Sequence, residues 1–163
     1  MKKSILNFTA IAMMLIATSC TEDDGDNGKV NNLSSAQLAE LKSITEEGSW
    51  VISYFFDTDK EETSHFNGYT FTFNSNGTLS ATNGTNEVNG TWSITDSDSN
   101  DDSDDDSDDD SSDVDFNISF TAPADFEDLS DDWDIVKYST IRIELIDVSG
   151  GNGGTDNLVF EKP

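Results

Sequence analysis

Apolar and polar residues alternate with a period of two along most of the chain after Gly48. This period is typical of strands that have one buried and one solvated face. Asn-Gly pairs at 76–77 and 83–84 mark tight turns between such segments. The pattern therefore predicts eight short antiparallel strands, whose apolar positions are Trp50, Ile52, Tyr54 and Phe56; Tyr69, Phe71 and Phe73; Leu79 and Ala81; Val88, Trp92 and Ile94; Val114, Phe116, Ile118 and Phe120; Trp133 to Tyr138; Ile141, Ile143 and Leu145; and Leu158 and Phe160.

Two segments have helical patterns instead. Leu38, Leu41 and Ile44 form an apolar stripe, and Ser34 stands three residues before Gln37, which is the spacing of a capping box. The sequence therefore predicts a helix over residues 33–47. A second, short internal helix is predicted to begin at Pro123, because proline suits the first turn of a helix.

Eight short strands joined by tight turns fit a closed up-and-down barrel, because closure removes exposed sheet edges. We therefore expect a mainly β fold, an eight-stranded antiparallel barrel with an N-terminal helix and one short internal helix. The domain would cover residues 33–163.

The N-terminus has the pattern of a signal peptide over residues 1–19. Lys2 and Lys3 precede an apolar segment that is too short to span a bilayer comfortably, and small residues lead to Cys20, the single cysteine. This arrangement resembles the lipobox of bacterial lipoproteins. The resemblance implies cleavage before Cys20 and attachment of lipid to its sulfur, which would tie the protein to a membrane. An ordinary secretory signal followed by an unrelated cysteine is the alternative.

Residues 20–32 are rich in Asp, Gly and Asn, with Glu22, Asp23 and Asp24 close behind the cysteine. This acidic start resembles the surface-export signal of bacteroidete-type lipoproteins and implies display on the outer face of the outer membrane. A simple solvated tether, or a periplasmic orientation, would fit the same composition.

The charge limits the choice of partner. The chain has 34 acidic and 8 basic residues, and loss of the first 19 residues leaves 6 basic residues and a net charge of −28. Such a protein repels nucleic acid and anionic lipid headgroups, so we expect no nucleic-acid partner. Cations are its plausible charged partners, and we expect a monomer.

Residues 96–113 interrupt the alternation with eleven Asp, six Ser and one Asn. A segment without apolar residues cannot bury surface, so we expect a disordered insert. Its beginning has calcium-loop spacing, but Asp101 stands where the loop needs Gly and Ser107 where it needs a bidentate Glu. We therefore expect either loosely bound Ca²⁺ or a plain solvated insert, and we assign no metal ligands.

Three short segments resemble the lipocalin-like domains of bacterial lipoproteins. They are Gly48-Ser49-Trp50, the segment 71–78 at the second turn, and the segment 90–94 in the fourth strand. The resemblance covers residues 49–163 and implies a barrel of the lipocalin or fatty-acid-binding kind, with a small apolar ligand in its mouth.

The inward aromatic residues have two interpretations. An eight-stranded barrel is just wide enough to be filled by side chains or to hold one small ligand. If a ligand is bound, we expect Trp50, Tyr54, Tyr69 and Trp92 to contact it. If the barrel is filled, the same residues are core.

The sequence offers no positive sign of catalysis. His65 is the single histidine, and no second histidine is available as the general base of a serine nucleophile. We therefore name no catalytic residue or cofactor. A binding module or a structural and interaction lipoprotein is favoured over an enzyme.

Overall fold

The computed structural model describes residues 30, 33–96, 114–148 and 154–163. The predicted signal peptide, Cys20, the tether apart from Val30, residues 97–113 of the acidic insert and residues 149–153 lie outside these ranges. The described part is mainly β, as the sequence predicts. Its elements are α1 (Ser35–Glu46), β1 (Val51–Asp57), β2 (Lys60–Glu61), a 3₁₀ turn (Thr63–Phe66), β3 (Thr70–Phe73), β4 (Thr78–Thr82), β5 (Glu87–Asp96), β6 (Val114–Ser119), α2 (Ala124–Glu127), β7 (Asp131–Ser139), β8 (Arg142–Val148) and β9 (Thr155–Glu161).

All of these strands belong to one antiparallel sheet. Its order is β2-β1-β9-β8-β7-β6-β5-β4-β3, so from β3 to β9 each strand pairs with the next in the chain. The sheet curls into a half-barrel, and Trp50, just before β1, forms an antiparallel bridge with Phe71 of β3. The Trp50 N–H donates to the Phe71 oxygen at 2.9 Å and the Phe71 N–H to the Trp50 oxygen at 2.7 Å. These two bonds connect β3, at one edge of the sheet, to the start of β1.

The prediction of eight strands is wrong by one. The described residues contain nine, because the two residues of β2 pair with the end of β1, Phe56 with Glu61 and Asp57 with Lys60. A strand this short has no alternation to detect, which is why the pattern of apolar residues does not reveal it.

The first helix agrees with its prediction. The Ser34 N–H donates to Gln37 Oε1 at 3.0 Å and the Gln37 N–H donates to Ser34 Oγ at 3.4 Å, which completes the capping box before α1. Leu41 and Ile44 are buried, and Thr45 accepts a hydrogen bond from the Trp50 indole through its backbone oxygen at 2.9 Å. The helix is therefore fixed against the start of β1.

A β-bulge in β1 reverses the predicted inward face. Ile52 pairs with Phe160 and Tyr54 with Val159, so Ser53 is an extra residue. Beyond it Phe55 is buried, whereas Tyr54 is 41 % exposed. The expectation that Tyr54 and Phe56 point inward is therefore wrong, because one inserted residue exchanges the two faces.

A second β-bulge interrupts the alternation of inward and outward side chains in β7. Ile135 pairs with Leu145 and Lys137 with Glu144, so Val136 is an extra residue without a partner position in β8. Ile141, predicted to lie in the following strand, is 64 % exposed in the turn before β8.

The interior of the half-barrel is filled by aromatic side chains from strands that are far apart in the sheet. The Phe73 ring of β3 lies 5.3 Å from that of Phe160 in β9, 5.3 Å from that of Trp92 in β5 and 5.7 Å from that of Phe116 in β6. These rings pack edge to face, the arrangement that aromatic pairs favour. Side chains from opposite walls therefore meet in the middle.

Candidate functional site

The two tryptophans predicted to contact a ligand are both buried, with their indole donors bound to the backbone. Trp50 is fully buried, and Lys162 Nζ lies 5.0 Å from its ring centroid. Trp92 is 5 % exposed and donates from Nε1 to the Asn74 oxygen at 2.9 Å. These bonds connect α1 to β1 and the β3–β4 turn to β5, so both indoles have a structural role.

The two tyrosines lie in different surroundings from the tryptophans. Tyr54 is on the outer surface, beyond the bulge in β1. Tyr69 is partly buried, and its ring centroid lies 5.1 Å from that of Phe126 in α2. The four residues therefore do not line one pocket, and their contact with a ligand stays a prediction.

An open groove lies against β5 and β6. It has a volume of about 530 Å³ and is lined by five residues with hydroxyl or amide groups, together with Trp92, Ile118 and Asp131. The polar residues are Thr91, Ser93, Asn117, Ser119 and Ser130. The groove is open to solvent and about equally polar and apolar, so it does not enclose the small apolar ligand that the resemblance implies.

Phe126 fills an aromatic cage at one end of the half-barrel. Four rings surround it, with centroids 5.1 to 6.1 Å away. They come from the 3₁₀ turn, from β3 and the residue before it, and from the residue after β6: Phe66, Tyr69, Phe71 and Phe120. Phe126 itself comes from the four-residue helix α2 and is 2 % exposed. Its position depends on contacts between segments more than 50 residues apart, which local sequence patterns do not reveal.

Two groups of three carboxylates come together, and we call them the acidic end. In each group one ligand oxygen from every residue lies within 4.8 Å of the others. The first group comes from β1, the segment after β2 and the end of α2, and the second from three adjacent strands: Asp57, Glu62 and Asp128, and Asp131, Asp147 and Asp156. Carboxylate oxygens are ligands that hard cations prefer, so these groups have the ligand chemistry of cation sites.

The sequence contains a signal for the second group, although no metal ligand is predicted from it. Asp131 stands two residues before Trp133, Asp147 two after Leu145, and Asp156 two before Leu158. Each carboxylate therefore shares the inward face with a buried residue but lies at a strand end. Which strand ends are neighbours depends on the sheet order, and the sequence alone does not reveal it.

The electrostatics of the two groups differ. Burial raises the pKa of the Asp131 carboxyl to about 6, with a hydrogen bond to Asp132 and the nearby Asp147 charge adding to the effect. The Asp128 pKa is raised by burial and then by the charges of Asp57 and Glu62.

Glu62 has the opposite shift. Its pKa is lowered, chiefly because Lys60 donates a hydrogen bond to its carboxylate. The acidic end therefore includes one carboxylate neutralised by an ion pair and two that hold protons more tightly than usual.

His65, in the 3₁₀ turn, lies at the surface beside this end. Its Nδ1 is 3.6 Å from Asp125 Oδ1 of α2 and 3.9 Å from Glu62 Oε2. The imidazole is about one-third exposed. It thus connects the 3₁₀ turn to α2 across the acidic end.

Comparison with protein-family models, with curated proteins and with solved structures finds no match to this chain. Within the described ranges, no helix has the length and apolar character needed to cross a membrane.

Proposed function

We propose that the protein is a non-catalytic lipoprotein of the outer cell surface whose half-barrel serves as a structural or interaction module. The filled interior is the observation that carries this proposal. Phe71, Phe73, Phe116 and Phe160 are each at most 1 % exposed, and their rings meet across the barrel. Side chains packed to this extent leave the outer surface as the part available to partners.

The lipocalin-like relationship is part of the same proposal. Its support is the succession of paired antiparallel strands, with β9 returning to lie beside β1. The small apolar ligand that this resemblance implies is the weaker candidate, because the predicted contact residues Trp50 and Trp92 are buried and hydrogen-bonded to the backbone.

The acidic surface suggests the kind of small partner that such a module attracts. With 34 acidic residues the chain concentrates cations around it, and we propose that Ca²⁺ associates loosely with residues 96–113. Extracellular calcium modules bind at about 10⁻⁴ to 10⁻³ M, and we expect this segment to bind no more tightly.

Native mass spectrometry of the purified protein tests the filled-interior proposal. We expect the mass of the lipidated polypeptide without a further equimolar apolar compound. As a control, the protein would be refolded after extraction with organic solvent, and its thermal midpoint should match that of untreated protein. A stoichiometric apolar compound, together with a lower midpoint after extraction, would contradict the filled barrel.

The lipid anchor has its own test in the variant Cys20→Ser. We expect the variant to lose membrane fractionation, because two or more acyl chains give stable anchoring at about 0.8 kcal/mol per buried CH₂. Thr21→Ala, the neighbouring residue, is the control and should fractionate like the wild type. A serine variant that still sediments with the outer membrane and resists salt extraction would show that the cysteine is not the anchor.

A further inference from the structure

Asn-Gly pairs occur at four places in the described part of the chain, at 67–68, 76–77, 83–84 and 89–90. A glycine after asparagine leaves the asparagine side chain open to attack by the next backbone nitrogen, because glycine has no Cβ to obstruct the approach. All four pairs share this chemistry. The surroundings that the fold gives to each pair therefore decide which of them reacts.

In two of the turns the nitrogen that would attack already donates a hydrogen bond. The Gly77 N–H donates to the Asn74 oxygen at 2.9 Å, and the Gly84 N–H donates to Thr82 Oγ1 at 3.1 Å. Each bond must break before the nitrogen can turn toward the preceding side chain. These two glycines are therefore protected.

The asparagine side chains of the same two turns are also held. Asn76 Oδ1 accepts from the Thr78 N–H at 3.0 Å and from the Thr78 hydroxyl at 2.7 Å. Asn83 Oδ1 accepts from the Thr85 N–H at 3.1 Å and from the Asn86 N–H at 2.8 Å. Attack at either side chain thus costs further hydrogen bonds.

The pair 89–90 is held by the sheet. Gly90 of β5 pairs with Leu79 of β4, and a Cβ added at Gly90 would overlap the Ser119 oxygen. Asn89 donates from Nδ2 to Glu87 Oε1 at 3.1 Å. Backbone rotation here would disrupt paired strands, so this pair is protected as well.

The pair 67–68, between the 3₁₀ turn and β3, lacks these restraints. Both residues are exposed, and within the described residues neither the Asn67 side chain nor the Gly68 N–H has a hydrogen-bond partner. Nothing lies within 4 Å of a Cβ placed on Gly68, whose φ is +82°. The backbone bond that spans the pair joins the Tyr69 N–H to the Phe66 oxygen at 3.0 Å. Rotation of Asn67 toward attack therefore breaks a single turn hydrogen bond.

We propose that Asn67 is a site of spontaneous covalent modification, in which its amide becomes an acid with water as the co-reactant. The Gly68 nitrogen bonds to Asn67 Cγ, the bond from Cγ to the side-chain nitrogen breaks, and ammonia leaves with the Gly68 amide proton. Water then opens the cyclic imide. Cleavage at Cγ leaves aspartate, and cleavage at the backbone carbonyl carbon leaves isoaspartate. Nothing is oxidised or reduced.

The modification would change the aromatic cage. Asn67 stands in the chain between Phe66 and Tyr69, two of the rings that surround Phe126. Both products add a negative charge at this turn. Isoaspartate also lengthens the backbone by a methylene group, so the bond from the Tyr69 N–H to the Phe66 oxygen cannot keep its geometry. This inference goes beyond the proposed structural or interaction role and does not depend on it.

Peptide mapping of the full-length protein by mass spectrometry tests the proposal. The protein is incubated at mildly alkaline pH for increasing times and digested with a protease that is active in acid, which prevents conversion during digestion. Each hydrogen bond that must break lowers the reactive fraction, so we expect Asn67 to convert about tenfold faster than Asn76, Asn83 or Asn89. An equal or slower rate at Asn67 would overturn the proposal.

The same measurement in concentrated urea is the control for local sequence. Each of the four asparagines is followed by glycine, so we expect similar rates once the protein is unfolded. A preference for Asn67 that persisted in urea would arise from neighbouring residues in the chain. That result would overturn the protection assigned to the fold.

Thr82→Val tests the role of the hydrogen bond to the glycine nitrogen. The change keeps the shape of the side chain and suits a strand, but it removes the acceptor for the Gly84 N–H. We expect conversion of Asn83 to become severalfold faster and that of Asn67 to stay the same. An unchanged rate at Asn83 in the folded variant would overturn this role.

Thermal unfolding of aged protein tests the effect on the cage. In Asn67→Gln the corresponding ring would be larger and forms much more slowly, so this variant is the control. We expect the midpoint of the wild type to fall as the converted fraction at Asn67 grows, whereas that of the variant stays constant. An equal fall in both proteins would overturn the effect on the cage.

Discussion

At the scale of single residues, Trp92 has two distinct interactions. Its ring packs against Phe73 at 5.3 Å and Phe116 at 6.0 Å, and its Nε1 donates to the Asn74 oxygen at 2.9 Å. The packing contributes through burial of apolar surface, and the hydrogen bond satisfies a carbonyl of the β3–β4 turn. Replacement by residues of different size separates these two contributions.

We predict that Trp92→Ala lowers the free energy of unfolding by about 3–5 kcal/mol, because it removes a large core ring. Trp92→Phe keeps much of the ring volume and should cost about 1–3 kcal/mol, largely through the lost hydrogen bond. Urea unfolding followed by circular dichroism measures both. Tyr54→Ala on the outer surface is the control, with an expected change within about 0.5 kcal/mol. Equal stability of Trp92→Ala and wild type would contradict the core role.

Asp131 shows how position within the fold changes the acidity of one carboxyl. Burial raises its pKa from the ordinary 3.8 to about 6, so the folded state binds this proton more tightly than the unfolded state does. The stabilisation that comes from binding this proton is therefore fully present below pH 3.8 and is lost as the pH rises through about 6.

We predict that Asp131→Asn, which imitates the protonated form, is more stable than wild type at pH 7 and similar to it at pH 4. The expected gain at pH 7 is about 1 kcal/mol, reduced from the full shift because the carboxyl is partly exposed to screening solvent. Thermal unfolding at several pH values measures the difference between the two proteins. Asp59→Asn, at an exposed position of the β1–β2 turn, is the control for the exchange of Asp for Asn as such. A constant difference for Asp131→Asn from pH 4 to pH 7 would contradict the shift.

At the scale of elements, the packing of β5 on β6 depends on the absence of a side chain at Gly90. A Cβ added there would overlap the Ser119 oxygen and lie 2.6 Å from the Phe120 ring. The carbonyl belongs to the backbone and cannot rotate away without moving its strand. This glycine therefore permits β5 to approach the end of β6 and the Phe120 ring closely.

We predict that Gly90→Ala lowers the free energy of unfolding by about 1–3 kcal/mol through this overlap. A lower free energy of unfolding would be informative, because alanine in a strand interior is ordinarily favoured over glycine by roughly 0.5–1 kcal/mol. Ser93→Ala, at an exposed position of the same strand, is the control and should stay within about 0.5 kcal/mol of wild type. A Gly90→Ala variant that is more stable than wild type would show that the strands can separate without cost.

At the scale of the whole molecule, charge is distributed unevenly. The acidic end gathers carboxylates from β1, α2 and β7 to β9. Arg142 and Lys162 lie elsewhere, with Arg142 bonded to Glu144 at 2.7 Å and Lys162 3.7 Å from Glu47. The acidic insert adds further negative charge between β5 and β6, whose last and first residues, Asp96 and Val114, are paired.

This pairing leads to a prediction for the insert. Replacing residues 98–111 by a few Gly and Asn residues should preserve the fold, because the strands on both sides are already in register. Loop-closure entropy changes by only about 0.6 kcal/mol per doubling of length, and removal of like charges should raise stability slightly, most clearly at low salt. Thermal unfolding with and without millimolar calcium measures this. A lower midpoint in the shortened protein, with calcium stabilising the full-length protein alone, would identify the insert as a folded cation site.

Local patterns in the sequence determined most elements of this fold. The capping box from Ser34 to Gln37, the turn at Asn76-Gly77 and the alternation in β3, β5 and β6 act over a few residues, so they can be interpreted without knowing the rest of the chain. Eight of the strands and both helices were predicted in this way.

The tertiary structure alone decided which faces and ends meet. The bulge at Ser53 turned Tyr54 outward, because strand register depends on the partner strand as well as on local sequence. Asp131, Asp147 and Asp156 are separated along the chain and become neighbours only because β7, β8 and β9 lie side by side. Phe126 reaches its cage for the same reason: contacts between distant segments are set by sheet order and curvature, which no short stretch of sequence contains.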